Sequence, residues 1–369
     1  MNDLEQDQAL ILKKYPLQAL YFYLTGDCNL ACRHCWISPQ YQRAMVSHSG
    51  LDYDLFTGIV AEAKPLGLTS VKLTGGEPLI HPRVTDILSF IQQEDLNLTI
   101  ESNGIALTPK LASQIAACIK PFISISLDGS NAATYEWVRG VPGSFDMAIN
   151  GIRTAVDAGI KPQIIMTIMR RNVHQIESLI DLAERMGADS VKLNILQPTA
   201  RGKTLHDHGE NLTIEELIAL GAWIEREIVE KASMPVIYGH PHAFQPMGRM
   251  FQADCSCGTC NIHHIIGVLH DGSYALCGIG ETVPEMVFGR AGSDCLSDIW
   301  FGNRIIQEIR RGIPDSLQGI CRHCAMKNLC LGSCVALNYV SSRDLRAPYW
   351  FCEEASGKGL FPSSRFIPL

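Results

Sequence analysis

From residue 19 onward the chain alternates short β-rich runs with helical stretches, and this order constrains the possible fold most. Alternation of this kind is typical of parallel βα units. The strand candidates are residues 20–26, 69–75, 97–102, 122–129, 162–169 and 190–196, and helices are predicted near 54–66, 82–94, 108–119, 144–158 and 173–186. We therefore predict an α/β fold, a partial (β/α)6 TIM-like barrel. Functional residues of such a barrel lie at the C-terminal ends of its strands.

The composition changes after about residue 250, because ten of the 14 cysteines lie between residues 255 and 352. Before this point a helix is predicted over residues 213–232, and within the later region a hairpin turns at Asp271 and Gly272. We predict five segments: an N-terminal extension at 1–19, the barrel at 20–210, a helical bridge at 211–250, a cysteine-rich domain at 251–355 and a C-terminal tail at 356–369.

Charge and hydropathy limit the function classes. A formal net charge of -7 provides no basic field for phosphates, so we expect no nucleic acid partner. No run of 18 apolar residues occurs and the N-terminus is acidic, so we expect no membrane association and a cytoplasmic location. In a reducing compartment, clustered thiols are more plausibly metal ligands than disulfides.

Cys28, Cys32 and Cys35 follow the first predicted strand in the segment TGDCNLACRHCW. A structural zinc or a closed cluster needs four protein ligands, whereas three thiolates on a 4Fe-4S cluster leave one iron open. The spacing C-x3-C-x2-C resembles the signature of the radical S-adenosylmethionine (SAM) superfamily, in which the open iron binds the amino and carboxylate groups of SAM. The alternative is a zinc knuckle with a distant fourth ligand.

Polar motifs follow the next strands in the order of that family. TGGEP ends the second strand as the family's SAM-amino-binding motif does, with glycines that allow close backbone approach and a carboxylate that can accept from an ammonium. Individually, the later polar pairs are also typical of turns. The resemblance implies SAM contacts from Gly75, Gly76, Glu77 and Pro78, from Ser102, Asn103, Ser126 and Asp128, and near the adenine from His34 and Leu196, although a core leucine is the alternative for Leu196.

The cysteines of the C-terminal third resemble those of the SPASM domain. Cys260 and Cys277 flank Gly272, and C-x2-C-x5-C-x3-C begins at Cys321. The resemblance implies two auxiliary 4Fe-4S clusters, hence three clusters in the chain. One would be held by Cys321, Cys324, Cys330 and Cys352, and the other by Cys255, Cys260, Cys277 and Cys334.

Some cysteine assignments have alternatives. Cys257 is close enough to replace Cys255 as a ligand. A zinc ribbon on Cys321, Cys324, Cys330 and Cys334 would leave Cys260, Cys277 and Cys352 without a role. Cys118 lies on an apolar helical face and is expected in the core, and Cys295 has no assigned role.

The resemblance also implies the activity. Family members with two auxiliary clusters mostly act on peptides, and residues 135–152 resemble a stretch common in this peptide-modifying branch. Residues 15–37 resemble the ScmF-like group of the SynChlorMet cassette. We predict a radical SAM oxidoreductase that cleaves SAM reductively to a 5'-deoxyadenosyl radical and takes hydrogen from a ribosomally made precursor peptide. The expected outcome is a carbon-carbon or thioether crosslink, or a related oxidation.

Partners and alternative functions follow from details of the match. Gly278 stands where sulfatase-maturing relatives have an aspartate, which disfavours that activity. Because 27 residues precede Cys28, we expect a separate leader-binding protein, or the enzyme's own surfaces, to hold the precursor. An external donor of flavodoxin or ferredoxin type is expected to supply electrons. The alternatives are a small-molecule dehydrogenase of the amino-sugar type and a non-enzymatic iron-sulfur electron carrier, against which the intact TGGEP argues.

Overall fold

The computed structural model describes residues 3–250 and 260–367. The chain divides into two compact units, Met1–Asn211 with His264–Asn303 and Leu212–His263 with Arg304–Leu369. None of the helices in the described residues is both long and apolar enough to cross a membrane.

The strands are β1 Ala19–Tyr23, β2 Asp27–Cys28, β3 Gln40–Tyr41, β4 Ser70–Thr74, β5 Asn97–Ser102, β6 Ile119–Ser126, β7 Gln163–Ile168, β8 Ser190–Ile195, β9 Val236–Tyr238, β10 Ile265–Val268, β11 Ser273–Ala275 and β12 Val287–Arg290. The helices of the first unit are α1 Asp3–Lys14, α2 Tyr53–Ala63, α3 Val84–Gln93, α4 Pro109–Ala116, α5 Ala132–Arg139, α6 Ser144–Asp157, α7 Ile176–Arg185, α8 Arg201–Asp207 and, after the second unit begins, α11 Leu296–Gly302. The second unit contains α9 Ile214–Trp223, α10 Met247–Met250, α12 Arg304–Gly312, α13 Gly319–Arg322, α14 Lys327–Cys330, α15 Val335–Ser342 and α16 Trp350–Gly357.

Strands β1, β4, β5, β6, β7 and β8 pair in this order, and every pairing is parallel. These are the six strands that the sequence predicts, and helices connect them. Parallel neighbours require such crossovers, which return the chain to the same edge of the sheet. All C-terminal strand ends therefore lie at one edge, together with the loops that follow them.

Alternate residues of these strands differ sharply in character. Val71 and Leu73 on β4, and Val191 and Leu193 on β8, have at most 1% of their surface exposed. The residues between them are polar or charged and partly exposed. Because side chains alternate between the two faces of a strand, one face of the sheet is apolar and the other is largely polar.

The predicted hairpin is confirmed, since β10 and β11 pair antiparallel and Gly272 has a φ of +87°. The structure also pairs β10 with β1 in parallel, from Ala19 opposite Ile265 to Phe22 opposite Val268. This pairing places residues 264–303 in the first compact unit, although we assigned them to the segment 251–355. The reason is a backbone ladder between distant parts of the chain, which hydrophobic periodicity does not reveal.

The presence or the extent of several helices differs from the predictions. The predicted helix at 213–232 begins with a capping box between Thr213 and Glu216 and continues after Trp223 as a π-helix over Ile224–Val229. Helix α1 lies in the segment that we assigned to an N-terminal extension, and α5 and α8 lie in parts of the predicted barrel where we predicted no helix. Of these, α5 and α8 carry arginines that contact the candidate site.

Candidate active site

The three N-terminal cysteines lie together directly after β1. Cys28 ends β2, which pairs with β3 and so closes the loop that carries Cys32 and Cys35. Cys28 and Cys32 are buried in one cluster around Leu30, and the half-buried Cys35 packs against it. The backbone N–H of Leu30 donates to Cys28 Sγ at 3.4 Å. This loop therefore presents three sulfurs to one region, as the spacing predicts.

A cavity of about 340 Å³ opens beside these sulfurs. It is enclosed within the first unit by the cysteine loop and by the C-terminal parts of several strands. Its lining includes the three cysteines predicted to hold the cluster, Cys28, Cys32 and Cys35. It also includes seven of the ten residues predicted to contact SAM, namely His34, Gly75, Gly76, Glu77, Ser102, Asn103 and Ser126.

Three predicted contact residues are placed elsewhere. Leu196 belongs to an apolar cluster with Val138, Met169 and Leu205, in agreement with the core alternative. Pro78 is buried at the start of a short 3-10 helix, where its fixed φ suits the first helical position. Asp128 is fully buried and pairs with other protein groups, as described below.

The glycines of TGGEP serve the packing of two loops against each other. The N–H groups of Gly76 and Glu77 donate to the carbonyls of Thr25 and Asp27 at 2.8 and 2.9 Å. A Cβ on Gly76 would lie 1.8 Å from the Asp27 carbonyl oxygen, and Gly75 has a φ of +119°. Glycine is thus required because this loop touches the backbone just before Cys28, a reason different from the close ligand approach that we predicted.

Glu77 connects the TGGEP loop to the end of β5. Its carboxylate is buried and accepts from Leu79 N at 3.1 Å, from Ser102 Oγ at 2.8 Å and from Asn103 N at 2.8 Å. Burial raises the pKa of Glu77, although these hydrogen bonds and Arg139 oppose the rise. Since a carboxylate accepts about four hydrogen bonds, one more acceptor position remains for the ammonium that we predicted here.

Asn103 connects β5 to the cysteine loop. Its Nδ2 donates to Asn29 Oδ1 at 2.7 Å and lies 3.9 Å from Cys28 Sγ, while its Oδ1 accepts from Ile105 N at 3.0 Å. Together with Glu77 and Ser102, this amide fixes the position of the first cysteine relative to two strand ends.

A buried ion pair lies behind the cysteine loop. Asp128 Oδ2 is 2.6 Å from Arg139 Nη2 and 3.5 Å from His34 Nε2, and Asp128 Oδ1 accepts from Thr167 N at 2.7 Å. Arg139 also donates to Cys32 Sγ at 3.5 Å. We predicted a SAM contact for Asp128. In the structure this deeply buried carboxylate needs a charge partner, and Arg139 supplies it.

Burial also sets the protonation of these groups. It lowers the pKa of His34 to about 4, so this imidazole is neutral near pH 7 despite the nearby Asp128. Burial alone would lower the pKa of Arg139, but Asp128 and Cys32 raise it above its ordinary value. The cavity wall next to Cys32 therefore carries the Arg139 guanidinium, whose charge is paired with Asp128.

Arg139 and Arg201 were not predicted as site residues from the sequence. Arg201 at the start of α8 donates to the carbonyls of Cys32 and Pro39 at 3.2 and 2.6 Å, and both arginines line the cavity. In the sequence, the signal for Arg139 is the glycine that follows it. Gly140 ends α5 with a φ of +73°, and a Cβ at this position would meet the Ala31 carbonyl oxygen. A lone arginine at a helix end is ordinarily a surface residue, so this signal is weak.

Four C-terminal cysteines gather in the second unit. Cys321, Cys324, Cys330 and Cys352 surround a narrow cavity of about 10 Å³ together with apolar residues that include Leu317, Ile320 and Phe361. Burial raises the pKa of Cys321 to about 12 and that of Cys330 to about 11. The pKa of Cys352 is raised by burial and then by its three cysteine neighbours. These are the four residues predicted to share one auxiliary cluster.

The second predicted auxiliary set is not assembled within one described unit. Cys255 and its alternative Cys257 lie outside the described residues. Cys260 and Cys334 belong to the second unit and Cys277 to the first, so their common cluster stays a prediction. In the described residues, no group of three or more His, Cys, Asp or Glu side chains has the geometry to hold a single metal ion. Cys118 is buried, as predicted.

Comparison with protein families gives the site its chemistry. Residues 22–183 match the model of the radical SAM superfamily. The chain carries a radical SAM domain. The chain is therefore an enzyme, and a domain of this kind implies a 4Fe-4S cluster and SAM.

Curated relatives resemble the chain over most of its length. The AdoMet-dependent heme synthase of Methanosarcina barkeri is 27% identical over 349 residues, which cover 91% of this chain and 96% of the relative. The mycofactocin maturase MftC of Mycobacterium tuberculosis is 26% identical over 356 residues, which cover 95% of this chain and 86% of the relative.

Among solved structures, the chain resembles SuiB of Streptococcus suis bound to the precursor peptide SuiA. The TM-score is 0.70 at 17% identity, covering 96% of this chain and 82% of that chain. SuiB bound to SAM gives a TM-score of 0.72, also at 17% identity, covering 94% and 81%. At this identity the likeness supports the α/β radical SAM fold with its parallel sheet.

Proposed function

We propose that Cys28, Cys32 and Cys35 hold the radical SAM 4Fe-4S cluster and that the adjoining cavity binds SAM. The observation that carries this proposal is the meeting of three buried or half-buried sulfurs with a polar cavity formed by successive strand ends. When bound, the cluster and SAM supply reductive cleavage of SAM to methionine and a 5'-deoxyadenosyl radical, which takes hydrogen from the substrate.

The chain's own side chains orient the cofactor. Arg139 offers a guanidinium suited to the methionyl carboxylate, and Asp128 acts as a positioning residue because it fixes Arg139. Glu77 keeps one acceptor position for the amino group, and Ser126 lines the cavity at the next strand end. The neutral imidazole of His34 provides an uncharged surface for the adenine.

For the substrate we propose a ribosomally made precursor peptide. Support comes from MftC, which is named a maturase, and from SuiB, which was solved with a precursor peptide. Loss of hydrogen from two positions of the peptide would form a carbon-carbon or thioether crosslink, or complete a related oxidation. An external flavodoxin or ferredoxin type donor would supply the electron for SAM cleavage, and a separate leader-binding protein would present the precursor.

We further propose that the C-terminal third is a SPASM domain with two auxiliary clusters. Cys321, Cys324, Cys330 and Cys352 would hold one of them, which the enclosed cavity between these four residues supports. The remaining predicted ligands would hold the other, giving three clusters per chain. Such clusters would accept the electron that the substrate radical releases when the product forms.

The test uses the reconstituted holoenzyme, a chemical reductant, SAM and short peptides encoded next to the gene. We expect deoxyadenosine together with a peptide that has lost about two hydrogens. Omitting the reductant controls for SAM hydrolysis. Deoxyadenosine formed without a mass change in any neighbouring peptide would contradict the peptide substrate but not the SAM site.

A second candidate is the modification of a tetrapyrrole, favoured by the heme synthase of Methanosarcina barkeri, whose sequence aligns over 96% of its length. Incubation with an iron porphyrin that carries carboxylate side chains would test it. A shift of the porphyrin absorbance on binding, followed by a mass change that depends on SAM, would favour this function. An unchanged spectrum would remove it.

A further inference from the structure

A cluster of charged side chains lies on strands β4, β5 and β8. Lys72 on β4 and Glu101 on β5 form an ion pair with 2.5 Å between Nζ and Oε1. Thr74 Oγ1 donates to Glu101 Oε2 at 3.3 Å, and the Lys72 ammonium lies 4.8 Å from the centre of the Tyr21 ring. Lys192 on β8 interacts electrostatically with both members of the pair.

Strand geometry directs this cluster into the cavity that we assign to SAM. Lys72, Glu101 and Asn194 all line it. Lys192 is two residues before Asn194 on the same strand, and residues at this spacing share a face. The side chain of Glu101 is 41% exposed although it belongs to a central strand, because it borders the cavity.

The charges of the cluster do not balance. Lys72 and Lys192 contribute two positive charges and Glu101 one negative charge, so the net charge is positive. Burial lowers the pKa of Lys192; Glu101 opposes this in part, and the charge of Lys72 adds a smaller lowering. An incompletely paired charge in a protein interior is costly. An anionic group that entered the cavity next to Lys192 would remove this cost.

The cluster lies at a different level of the barrel from the groups assigned to SAM. Ser102, Asn103 and Ser126 stand at or just beyond the C-terminal ends of their strands. Lys72 and Lys192 each stand in the middle of theirs, two to three residues closer to the N-terminal end. A ligand of the two lysines is therefore deeper in the barrel than the methionyl group.

We propose that Lys72 and Lys192 bind a carboxylate of the substrate beside Glu101, whose single negative charge leaves the two lysines with an excess of positive charge. This inference rests on the proposed use of the cavity for SAM and adds the chemical class of the substrate group. In a peptide, the carboxylate is either the C-terminus or an Asp or Glu side chain. Its capture would hold neighbouring carbon-hydrogen bonds at the inner side of SAM.

Ligand-observed NMR with a minimal probe tests the site without knowledge of the substrate. Saturation transfer from the SAM-bound holoenzyme to propionate is compared with transfer to propionamide, which has the same shape without the charge. We expect transfer to propionate only. Lys192→Met and Lys72→Met should each weaken it by about tenfold, because a charge-assisted contact is lost. Lys192→Arg should keep it, and Glu101→Gln should strengthen it.

Two controls separate binding from folding and from SAM. Lys231→Met changes an exposed lysine paired with Glu227 and should leave the transfer unchanged. The Kd for SAM, measured in each variant by equilibrium dialysis, should change little. Equal transfer to propionate and propionamide would overturn the proposal. A loss of SAM affinity that parallels the loss of propionate in Lys192→Met would assign the lysines to SAM and would overturn it too.

With a peptide that the enzyme modifies, the source of the carboxylate can be found. One arm amidates the C-terminus, and another replaces each Asp or Glu by Asn or Gln. One of these changes should lower turnover by about tenfold in the wild-type enzyme and much less in Lys192→Met. No effect of any change would contradict the inference. If no peptide is modified but propionate and a carboxylate-bearing porphyrin both bind through Lys192, the peptide proposal fails and the carboxylate site stands.

Discussion

The two cysteine groups of this protein differ in the space beside them. Three cysteines of the barrel adjoin a cavity of about 340 Å³ that is lined by charged and polar groups. Four cysteines of the second unit surround a cavity of about 10 Å³ among mostly apolar groups, which is about the volume that one water needs. A cluster on three ligands keeps one iron for an outside molecule, whereas four ligands close it. The three-cysteine site thus has room for a further molecule beside it, and the four-cysteine site does not.

In each group of cysteines, an arginine opposes part of the rise that burial causes in the pKa of one thiol. Arg139 donates to Cys32 Sγ in the barrel and offsets part of the burial that raises the pKa of Cys32. In the second unit, burial and neighbouring thiols raise the pKa of Cys352, while Arg365 opposes part of the burial that raises the pKa of Cys324. Burial raises the pKa of thiols at both sites, so assembly of the clusters that we propose would have to remove protons from groups that hold them firmly, and coordination would supply that driving force.

The largest expected effect comes from removing the open site. Replacing Cys28, Cys32 and Cys35 together by alanine should abolish deoxyadenosine formation, because the iron that binds SAM is lost. The wild-type enzyme should contain about twelve irons and the variant about eight. Iron analysis and chromatography of the products measure both. Deoxyadenosine production by the variant would contradict the assignment, and about four irons in the wild type would contradict the SPASM domain.

Removing the closed site should have a narrower effect. Cys321→Ala with Cys324→Ala should spare a first SAM cleavage but stop product formation, because the electron acceptor is lost. Iron should fall to about eight per chain. Loss of the cluster can also unfold the second unit, so the variant must keep a native-like circular dichroism spectrum. A folded variant that still forms the complete product would show that this cluster is dispensable.

The stability of the barrel site should depend on the buried ion pair between Asp128 and Arg139. Arg139→Met leaves Asp128 buried without its guanidinium and should lower the free energy of unfolding by about 3–5 kcal/mol. Urea denaturation measures this loss. Arg171→Met, which removes a cation next to the Trp137 ring, is the matched control and should cost less than about 1 kcal/mol. Equal losses in the two variants would mean that the Asp128 pair adds no special stability.

The features that the sequence reveals are formed by residues close together in the chain. The three-cysteine motif, TGGEP and the six strand runs are each contained within a few residues, so spacing and β-propensity identify them. The second group of cysteines was assigned by its resemblance to the SPASM domain. Its four members are brought together in the structure.

Pairings between distant elements could not be derived in this way. Nothing in residues 265–268 indicates that β10 adds to β1, because the contacts are backbone hydrogen bonds without a side-chain signature. The Asp128–Arg139 pair joins a loop after β6 to the end of α5, and each residue alone resembles a surface charge. One sequence signal was not used. Strands of a parallel sheet that is covered on both faces are nearly continuously apolar. Lys72, Glu101 and Lys192 break this pattern, which indicates that a cavity borders these strands.

The smallest predicted effect concerns the contact between the TGGEP loop and the cysteine loop. Gly76→Ala would place Cβ 1.8 Å from the Asp27 carbonyl oxygen, so one loop must move. We expect a loss of about 1–3 kcal/mol in the free energy of unfolding and weaker SAM binding, because the displaced loop carries Cys28. Gly58→Ala is the matched control, since Gly58 lies in α2 with no atom within 4 Å of a new Cβ. It should stabilise the protein by up to about 1 kcal/mol, because alanine favours a helix. If Gly76→Ala lowers stability but leaves the Kd for SAM unchanged, the two loops share packing but do not together shape the open site. If both quantities change, the position of the cysteine loop depends on this close approach.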